Sequence, residues 1–424
     1  MIVQIYGVQR SGKTTLIERL LNYYGEDAIH IKRSKIQDEY SFNLYGIADK
    51  GELTPEQQSK LYELSLNKIK ELNTKYKYVF LDYHAGYLME NKTLLDFRPV
   101  EYHKIGDIYF YLNTNANIIY DRMVDTNGEK STYNFSVEDI ELYKQLEIEK
   151  LTNIIDNEIY IIGVQNDPFL EMIKILGGTS PSDVNKNAWD YKTYDFWLKK
   201  YGKPQDMARR IASGKEKIFD NYFPYIGDVK GKKIACICDS CGRLANSLVF
   251  NGAEVTVFDQ SQMGKKYALE CASSLHQKLE YINIDFSKEL NQYDSEFDMV
   301  ISTVGVLHYF MELNVYFYNI KHILKENGIF VIHDFHPILK IINNDSLAVQ
   351  INDDYFNTNS FLGYMPYNFE KIDEYPKCLY REYMLKDIFN LIIKYFNIIY
   401  FDELRYHEEK YPTTIMIKSI KKGE

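Results

Sequence analysis

Short apolar runs alternate with amphipathic stretches along residues 1–175. The runs predict strands over Ile2–Tyr6, 77–81, 107–112 and 158–162, and the spacing of apolar residues predicts helices over 14–24 and 53–72. Strands that alternate with helices form parallel sheets with right-handed crossovers. This part of the chain therefore predicts an α/β domain.

The alternation lapses at residues 177–186, where Gly, Ser, Thr, Pro and Asp replace any apolar period. We interpret 177–186 as a linker between a domain over 1–176 and a domain over 187–424. Strands are predicted in the second domain over 233–238, 254–258, 280–284, 299–303, 329–333, 398–404 and 413–417. The fold class is α/β, with two doubly wound domains in series.

Composition limits the functions to consider. A chain of 424 residues exceeds the usual size of one domain, and 45% hydrophobic with 26% charged residues is ordinary for a globular protein. The net charge of −10 argues against nucleic acid as a partner. No apolar run is long enough for a membrane span, and Met1 leads into a strand pattern instead of a signal peptide. We expect a cytoplasmic protein with small-molecule substrates, and a homo-oligomer is compatible with the sequence.

The segment GVQRSGKT, residues 7–14, matches the pattern GxxxxGK[ST] between a predicted strand and a predicted helix. The glycines allow backbone amides to face phosphate oxygens, Lys13 reaches the terminal phosphates, and Thr14 offers a hydroxyl to Mg²⁺. This pattern predicts a nucleotide-binding P-loop. The residues expected to bind ATP are Gly7, Arg10, Ser11, Gly12, Lys13, Thr14 and Thr15.

Two further residues favour phosphoryl transfer. Asp82 ends a predicted strand, where a carboxylate can organise Mg²⁺ or the acceptor. Arg122 lies on a predicted helix before the polar segment 126–131, which could close as a lid, with Arg122 or Lys130 neutralising the transferred phosphate.

The order of these features resembles the archaeal-type adenylate kinases and related small P-loop kinases over residues 1–175. The resemblance includes the segment LDYHAGYL at 81–88, Arg122 with Asp125, a helix over 137–151 and a strand ending in Asn166-Asp167. It implies transfer of phosphate from ATP, with Mg²⁺, to a nucleotide or another small acceptor. The chain lacks the paired Arg-Asp repeats of that family's lid and its Pro-Gly-Leu-Pro pattern, so the acceptor need not be AMP.

The second domain carries the pattern of a cofactor crevice. Its first strand is followed by Asp239, Ser240 and Gly242, and its second strand by Asp259, at a spacing that suits a carboxylate on the ribose hydroxyls. A Rossmann dehydrogenase would share these features but would show the fuller G-x-G-x-x-G turn, which is missing. The residues expected to bind the cofactor are Asp239, Ser240, Gly242, Asp259, Gln260, Asp285, Phe286 and Val304.

Two later segments, FDMVISTVGVLHYF at 297–310 and LKENGIFVIHDFHP at 324–337, resemble the fourth-strand and fifth-strand motifs of small-molecule class I methyltransferases. Together with Asp354-Tyr355-Phe356 they resemble a bacterial subfamily of such enzymes. The resemblance spans about residues 187–410 and implies S-adenosylmethionine as cofactor. Asp239 stands where the family usually has glycine.

Methyl transfer needs alignment and, for some acceptors, a base. His308 and His336, near the ends of two predicted strands, are the candidates, with capping of backbone groups as the alternative role. Asp334 with His336 could instead hold a metal, although two ligands make a poor site. Cys236, Cys238 and Cys241 form a C-x-C-x-x-C string, but no second ligand pair lies at finger spacing, which favours buried core cysteines over zinc.

The sequence therefore predicts a bifunctional enzyme, an ATP-dependent small-molecule kinase fused to a methyltransferase, with both steps in one pathway such as natural-product, nucleotide-derivative or surface-polysaccharide assembly. Two alternatives stay open. The P-loop domain could sense nucleotide and regulate the methyltransferase without transferring phosphate, or the pair could modify RNA ends.

Overall fold

A central parallel sheet organises the first unit of the chain, Met1–Gly178. The apolar runs of the sequence form its strands, and all five residues of the first strand are buried. The elements of this unit are β1 (Ile2–Tyr6), α1 (Lys13–Tyr24), β2 (Ala28–Ile31), α2 (Arg33–Tyr45), α3 (Pro55–Asn73), β3 (Tyr78–Asp82), β4 (Tyr87–Leu88), β5 (Leu94–Leu95), β6 (Ile108–Leu112), α4 (Ala116–Val124), α5 (Val137–Ile154), β7 (Ile159–Ile162) and α6 (Pro168–Ile175).

The coordinates are a computed structural model. It describes the chain except residues 49–51, 90, 97, 125–134, 164–166, 289, 291, 344–349, 352–354, 357, 369, 373–374, 406–410 and 424. In the part of the chain that the structure describes, no helix is both long enough and apolar enough to span a membrane.

The five-stranded sheet of the first unit has the order β2-β3-β1-β6-β7, and every neighbouring pair is parallel. The strand order switches sides at β1, with β2 and β3 on one side of it and β6 and β7 on the other, so the segment after β1 lies at the crevice where ligands bind in open α/β sheets. The P-loop segment occupies this position.

Strand β2 and helix α2 are additions to the predicted pattern. Helix α2 buries only Gln37 and Ser41, and therefore shows no apolar stripe from which a helical period could be detected. Strand β2 is four residues long and lies at the sheet edge, where a short run carries little signal.

The second unit, Thr179–Glu424, is also built on one large sheet. Its elements are α7 (Pro181–Tyr191), α8 (Thr193–Tyr201), α9 (Pro204–Ala212), α10 (Ile218–Ile226), β8 (Lys233–Ile237), α11 (Arg243–Phe250), β9 (Glu254–Asp259), α12 (Gln262–Ser274), β10 (Glu280–Asn283), β11 (Phe297–Ser302), α13 (Leu313–Ile323), β12 (Leu324–Phe335), β13 (Ile342–Asn343), β14 (Gln350–Ile351), β15 (Ser360–Gly363), β16 (Cys378–Arg381), α14 (Leu385–Tyr395), β17 (Phe396–Leu404) and β18 (Thr414–Lys421).

The seven strands have the order β10-β9-β8-β11-β12-β18-β17. The first five are parallel, and β18 lies antiparallel between β12 and β17. This is a Rossmann-like arrangement, with the crevice between the carboxyl ends of β8 and β11. Apolar residues of both sheet faces form the core, with Val300 and Ile332 in the cluster on one face and Ile301 and Val331 in the cluster on the other.

The segment 177–186 is not a linker throughout, which corrects the prediction. Helix α7 begins at Pro181, because the Ser180 hydroxyl accepts a hydrogen bond from the Asp183 amide (3.1 Å) and proline suits the first helical position. The residues that indicated a turn are thus a helix start. Asn185 is buried on this helix and holds both backbone groups of Leu379, through its Nδ2 (3.0 Å) and Oδ1 (2.7 Å).

Candidate functional sites

The P-loop segment folds as a tight turn between β1 and α1. Gly7 and Gly12 have φ angles of 148° and 100°, which glycine adopts without strain. A Cβ on Gly7 would lie 2.9 Å from the carbonyl oxygen of Leu112, and one on Gly12 would lie 3.2 Å from Nη1 of Arg122. The turn therefore needs glycine at both positions and leaves the backbone amides at the start of α1 available to an anion.

Lys13 is buried inside this turn. Its Nζ donates to the carbonyl oxygens of Gly7 (2.5 Å) and Val8 (3.0 Å) and to Oγ of Ser11 (3.4 Å). Burial lowers the pKa of Lys13 to about 8, while the charges of Glu147 and Asp82 oppose this shift. The ammonium group is thus held at the mouth of the turn by weak acceptors that a phosphate could replace.

Asp82 lies beside Thr14 at the carboxyl end of β3. The Thr14 hydroxyl donates to Oδ2 of Asp82 (3.5 Å), and His30 Nε2 lies 3.1 Å from Oδ1. Burial raises the pKa of Asp82, but the His30 hydrogen bond and nearby positive charges outweigh it, so the pKa lies below its usual value. A hydroxyl next to an ionised carboxylate is a donor set that fits Mg²⁺.

Arg122 reaches the same turn from α4, with its Nη1 donating to the carbonyl oxygen of Arg10 (3.0 Å). A cavity of about 650 Å³ opens here. Its walls are Gln9, Arg10, Gly12, Lys13, Thr14, Thr15, Asp82, His84 and Arg122. Five of the seven residues predicted to bind ATP thus line one cavity with Asp82 and Arg122, and Gly7 and Ser11 are not among its walls. Asp125, Lys130 and the predicted lid at 126–131 lie outside the described residues.

Sequence reasoning missed a group of unsatisfied side chains near this cavity. Arg98 has a side chain only 8% exposed, and its Nη2 has no hydrogen-bond partner among the described residues. Within the same part of the chain, the Nε and Nη1 atoms of Arg33, the hydroxyl of Tyr83 and Nδ1 of His84 are likewise buried without partners. The guanidinium of Arg33 lies 5.3 Å from the Tyr83 ring centre, and His84 lines the cavity. Buried donors without acceptors are costly, so this arrangement favours an anionic ligand.

Glu147 is a second missed residue. It is fully buried on α5, accepts from the Ala85 amide (2.6 Å) and the Tyr111 hydroxyl (3.1 Å), and has a pKa that burial raises to about 7. Its sequence signal is its position on the buried stripe of α5 with Ile140, Tyr143 and Leu151.

The crevice of the second unit is lined by residues that follow the carboxyl ends of β8 and β9. Gly242 has a φ of 66° at the start of α11. Asp239 accepts from the Ala245 amide (2.7 Å), and Asp259 accepts from the Ser261 amide (2.7 Å). The hydroxyl of Ser240 accepts from Trp197 Nε1 (3.3 Å), which ties the crevice loop to α8.

Three buried carboxylates in this unit have raised pKa values. Burial raises the pKa of Asp239 to about 7 and those of Asp259 and Asp334 to about 6, against the stabilising effect of backbone amides on each. Cys238, at the end of β8, lies among the charges of all three. None of the three forms an ion pair with a described residue, and a cationic ligand would therefore stabilise their charged forms.

The other predicted cofactor residues have different surroundings. The Asp285 carboxylate accepts hydrogen bonds from the amide (3.0 Å) and the hydroxyl (2.5 Å) of Ser287. It also forms an ion pair with Lys288 (3.2 Å). Gln260 donates to the Ser182 hydroxyl on α7. Val304 is exposed at the end of β11. Phe286 corrects the prediction, because its ring is buried in the core against Phe258 and Tyr316 instead of facing the crevice.

His308 lies on a one-turn helix, Leu307–Tyr309, directly after β11. Oδ2 of Asp334 accepts from the amides of Val306 (3.0 Å) and Leu307 (2.8 Å) and so fixes this turn. Burial lowers the pKa of His308 to about 4, so the imidazole is neutral at pH 7 and is a weaker base than an ordinary histidine, with a ring nitrogen that can accept a hydrogen bond.

His336 is a cap and not a base, which corrects the prediction. Its Nδ1 accepts from the Ile338 amide (3.0 Å), and its Nε2 lies 3.0 Å from a carboxylate oxygen of Glu403. Both ring nitrogens are therefore engaged. Asp334 is committed to backbone amides, and across the described parts of the chain no cluster of three His, Cys, Asp or Glu side chains could hold a metal ion.

The cysteine string does not form a metal site among the described residues either. Cys236 and Cys241 are buried and free, as expected for core cysteines, and Cys238 is half-buried at the crevice.

A comparison with protein families connects this geometry to a function. Residues 239–332 match the family model described as a methyltransferase domain. The match begins at Asp239, after β8, and ends within β12, so it contains the crevice and the turn that carries His308. It supports a methyltransferase function for the second unit.

Solved structures similar to the chain include an S-adenosylmethionine-dependent methyltransferase from Mesorhizobium loti, at 17% identity and a TM-score of 0.41, covering 48% of this chain and 97% of that one. The PH0226 protein from Pyrococcus horikoshii has 22% identity and a TM-score of 0.38, with 50% and 91% covered. Magnesium protoporphyrin IX methyltransferase from Synechocystis has 15% identity and a TM-score of 0.39, with 57% and 100% covered. No curated protein matched the chain.

Proposed function

We propose that the chain is a bifunctional enzyme whose second unit methylates a small molecule with S-adenosylmethionine and whose first unit phosphorylates a small molecule with ATP. The observation that carries the methyltransferase part is the set of buried carboxylates Asp239, Asp259 and Asp334, of which the first two lie in the region that matches a methyltransferase domain and the third lies just after it. S-adenosylmethionine carries an ammonium and a sulfonium group and supplies a methyl group when bound.

This chain's residues would act on that cofactor by position. Asp259, at the end of β9, would accept hydrogen bonds from the ribose hydroxyls. The carboxylates of Asp239 and Asp334 would attract the ammonium and sulfonium groups of the cofactor, because electrostatic attraction is stronger in a crevice of low polarity than in water. His308 would take up the acceptor's proton.

The test of the methyltransferase proposal is binding of S-adenosylhomocysteine, measured by calorimetry. Asp259→Asn should weaken it by roughly tenfold or more, since a charged hydrogen bond contributes about 1.5–3 kcal/mol. Asp294→Asn is the matched control, because the Asp294 side chain is 70% exposed. No binding to the unaltered chain would refute the proposal.

The kinase part rests on the P-loop geometry around Lys13, Thr14 and Asp82. ATP phosphates would replace the carbonyl oxygens that now accept from Lys13, and Thr14 with Asp82 would hold Mg²⁺. The unpartnered donors of Arg33 and Arg98 support an acceptor that itself carries a phosphate or carboxylate.

Two measurements test this part. Lys13→Ala should abolish ATP binding and leave S-adenosylhomocysteine binding unchanged, whereas Lys60→Ala, on the surface of α3, should change neither.

The second measurement is ATP consumption by the unaltered chain, which should appear with acceptors that carry a phosphate or a carboxylate. Tight ATP binding without consumption across that panel would favour a nucleotide-sensing unit that regulates the methyltransferase, and transfer to RNA ends would favour RNA modification. A methylated and phosphorylated product would place both steps in one pathway.

A further inference from the structure

The turn that presents His308 lies beside the cofactor crevice. Asp334 holds the turn from β12, and the Thr303 hydroxyl, just before it, donates to the carbonyl oxygen of Cys238 (3.4 Å) at the end of β8. A group bound over His308 would thus lie next to the carboxylates that we assign to the cofactor. The inference below rests on the proposed methyltransferase function.

Aromatic rings surround His308. The Phe335 ring is nearly parallel to it, with centres 5.9 Å apart and an interplanar angle of 21°. The ring centres of Tyr309 and Tyr380 lie 4.2 and 5.1 Å from His308, and Phe361 lies 5.5 Å from Tyr380. No described residue forms a hydrogen bond with a ring nitrogen of His308.

This aromatic cluster, His308 with Tyr309, Phe335, Phe361 and Tyr380, is open to solvent. Phe335 and Phe361 are 46% and 40% exposed. Large apolar side chains exposed together around a proton acceptor mark a binding surface more often than a solvated one. The nearest cation on β16, Arg381, is engaged elsewhere, by the Met311 carbonyl oxygen and by Glu312 (3.2 Å).

Two glycines make room for these rings. Gly305 has a φ of 81°, and a Cβ there would lie 2.9 Å from the Phe335 ring. A Cβ on Gly363 would lie 2.6 Å from the Tyr380 ring. A side chain at Gly305 would displace the Phe335 ring, and one at Gly363 would displace the Tyr380 ring, so both ring positions depend on glycine.

We propose that the methyl acceptor is a flat aromatic molecule with an ionisable hydroxyl group, which stacks on Phe335 and Phe361 and gives its proton to His308. The hydroxyl O–H breaks as a ring nitrogen of His308 takes the proton, the oxygen electron pair forms the bond to the methyl carbon, and the S–CH₃ electron pair stays on sulfur. The imidazolium then returns the proton to water. Stacking orients the acceptor, because aromatic faces prefer offset parallel or edge-to-face contact.

A matched pair of probes tests the acceptor class by binding alone. 2-Naphthol and its saturated analogue decahydro-2-naphthol carry a hydroxyl at the same position of the same carbon skeleton, but only the first is flat and aromatic and has a readily ionisable hydroxyl. With the full chain saturated by S-adenosylhomocysteine, we expect 2-naphthol to bind roughly tenfold more tightly, by calorimetry or ligand-detected NMR. Equal affinities would overturn the proposal.

Variants locate the binding. Phe335→Ala should weaken 2-naphthol binding by roughly fivefold. Phe250→Ala is the control, since Phe250 is similarly exposed (42%) at the end of α11. Unchanged S-adenosylhomocysteine affinity would show that the Phe335 variant folds. If 2-naphthol bound the two variants equally, the assigned surface would be wrong. If the unaltered chain did not bind S-adenosylhomocysteine at all, the proposed function itself would be refuted.

Discussion

Individual residues in both units acquire their chemistry from burial. Burial lowers the pKa of Lys13 and of His308 and raises that of Asp239, because removing a group from water disfavours its charged form. His84 shows the same effect, since burial lowers its pKa to about 3. Perturbed groups of this kind cluster at binding sites, which is why the crevice and the P-loop stand out from the surface charges.

Cofactor affinity should depend on pH through the buried carboxylates. The pKa values of Asp239, Asp259 and Asp334 are raised to about 7, 6 and 6, so these groups take up protons as the pH falls through that range. The ammonium group of S-adenosylhomocysteine, which S-adenosylmethionine shares, prefers the ionised carboxylates, so binding should release protons. We expect affinity for S-adenosylhomocysteine to fall roughly tenfold between about pH 8 and about pH 5.5.

Calorimetry in two buffers of different ionisation enthalpy measures the released protons directly. Asp259→Asn should reduce their number. Proton uptake, or an affinity independent of pH, would contradict the assignment of these carboxylates to the cofactor.

At the scale of elements, helix α7 connects the start of the second unit to the acceptor side of its crevice. Asn185 on this helix donates to the carbonyl oxygens of Leu379 on β16 and of Tyr309 (3.2 Å), and its Oδ1 accepts from the Leu379 amide. One buried side chain thus holds the strand and the turn on which the aromatic cluster is built.

Asn185→Ala should destabilise the second unit by about 3 kcal/mol, because it leaves buried backbone groups unpaired. Thermal unfolding monitored by fluorescence measures the change. Asn187→Ala is the matched control, since Asn187 is exposed on the same helix. Similar melting temperatures for the two variants would mean that α7 contributes little to the second unit.

At the scale of the whole molecule, the chain divides at Gly178 into units with separate cores. The buried clusters around β1 and around β8 contain residues of one unit each. A unit with its own sheet and core is expected to fold alone.

Fragments Met1–Gly178 and Thr179–Glu424 should therefore both be folded when produced separately. Circular dichroism tests folding, and the first fragment should bind ATP while the second binds S-adenosylhomocysteine. A fragment that unfolds or binds only after the other is added would show that the units depend on each other.

The sequence by itself determined the features that depend only on residues close together in the chain. The strand runs, the P-loop spacing at Gly7–Thr14 and the acids after β8 and β9 are local patterns, and the structure has these elements within a few residues of their predicted bounds. Helix α2 and the start of α7 escaped because one lacks an apolar stripe and the other begins with residues that also favour turns.

The tertiary structure alone decided which side chains are free to act. His336 and His308 follow neighbouring strands and looked equivalent, yet Glu403, 67 residues away, engages His336 while His308 keeps its ring nitrogens free of described partners. Arg33, Arg98 and Glu147 became candidates for the same reason, because burial and hydrogen-bond satisfaction depend on partners distant in the chain. Local patterns specify the elements, and long-range packing decides which polar atoms remain for a ligand.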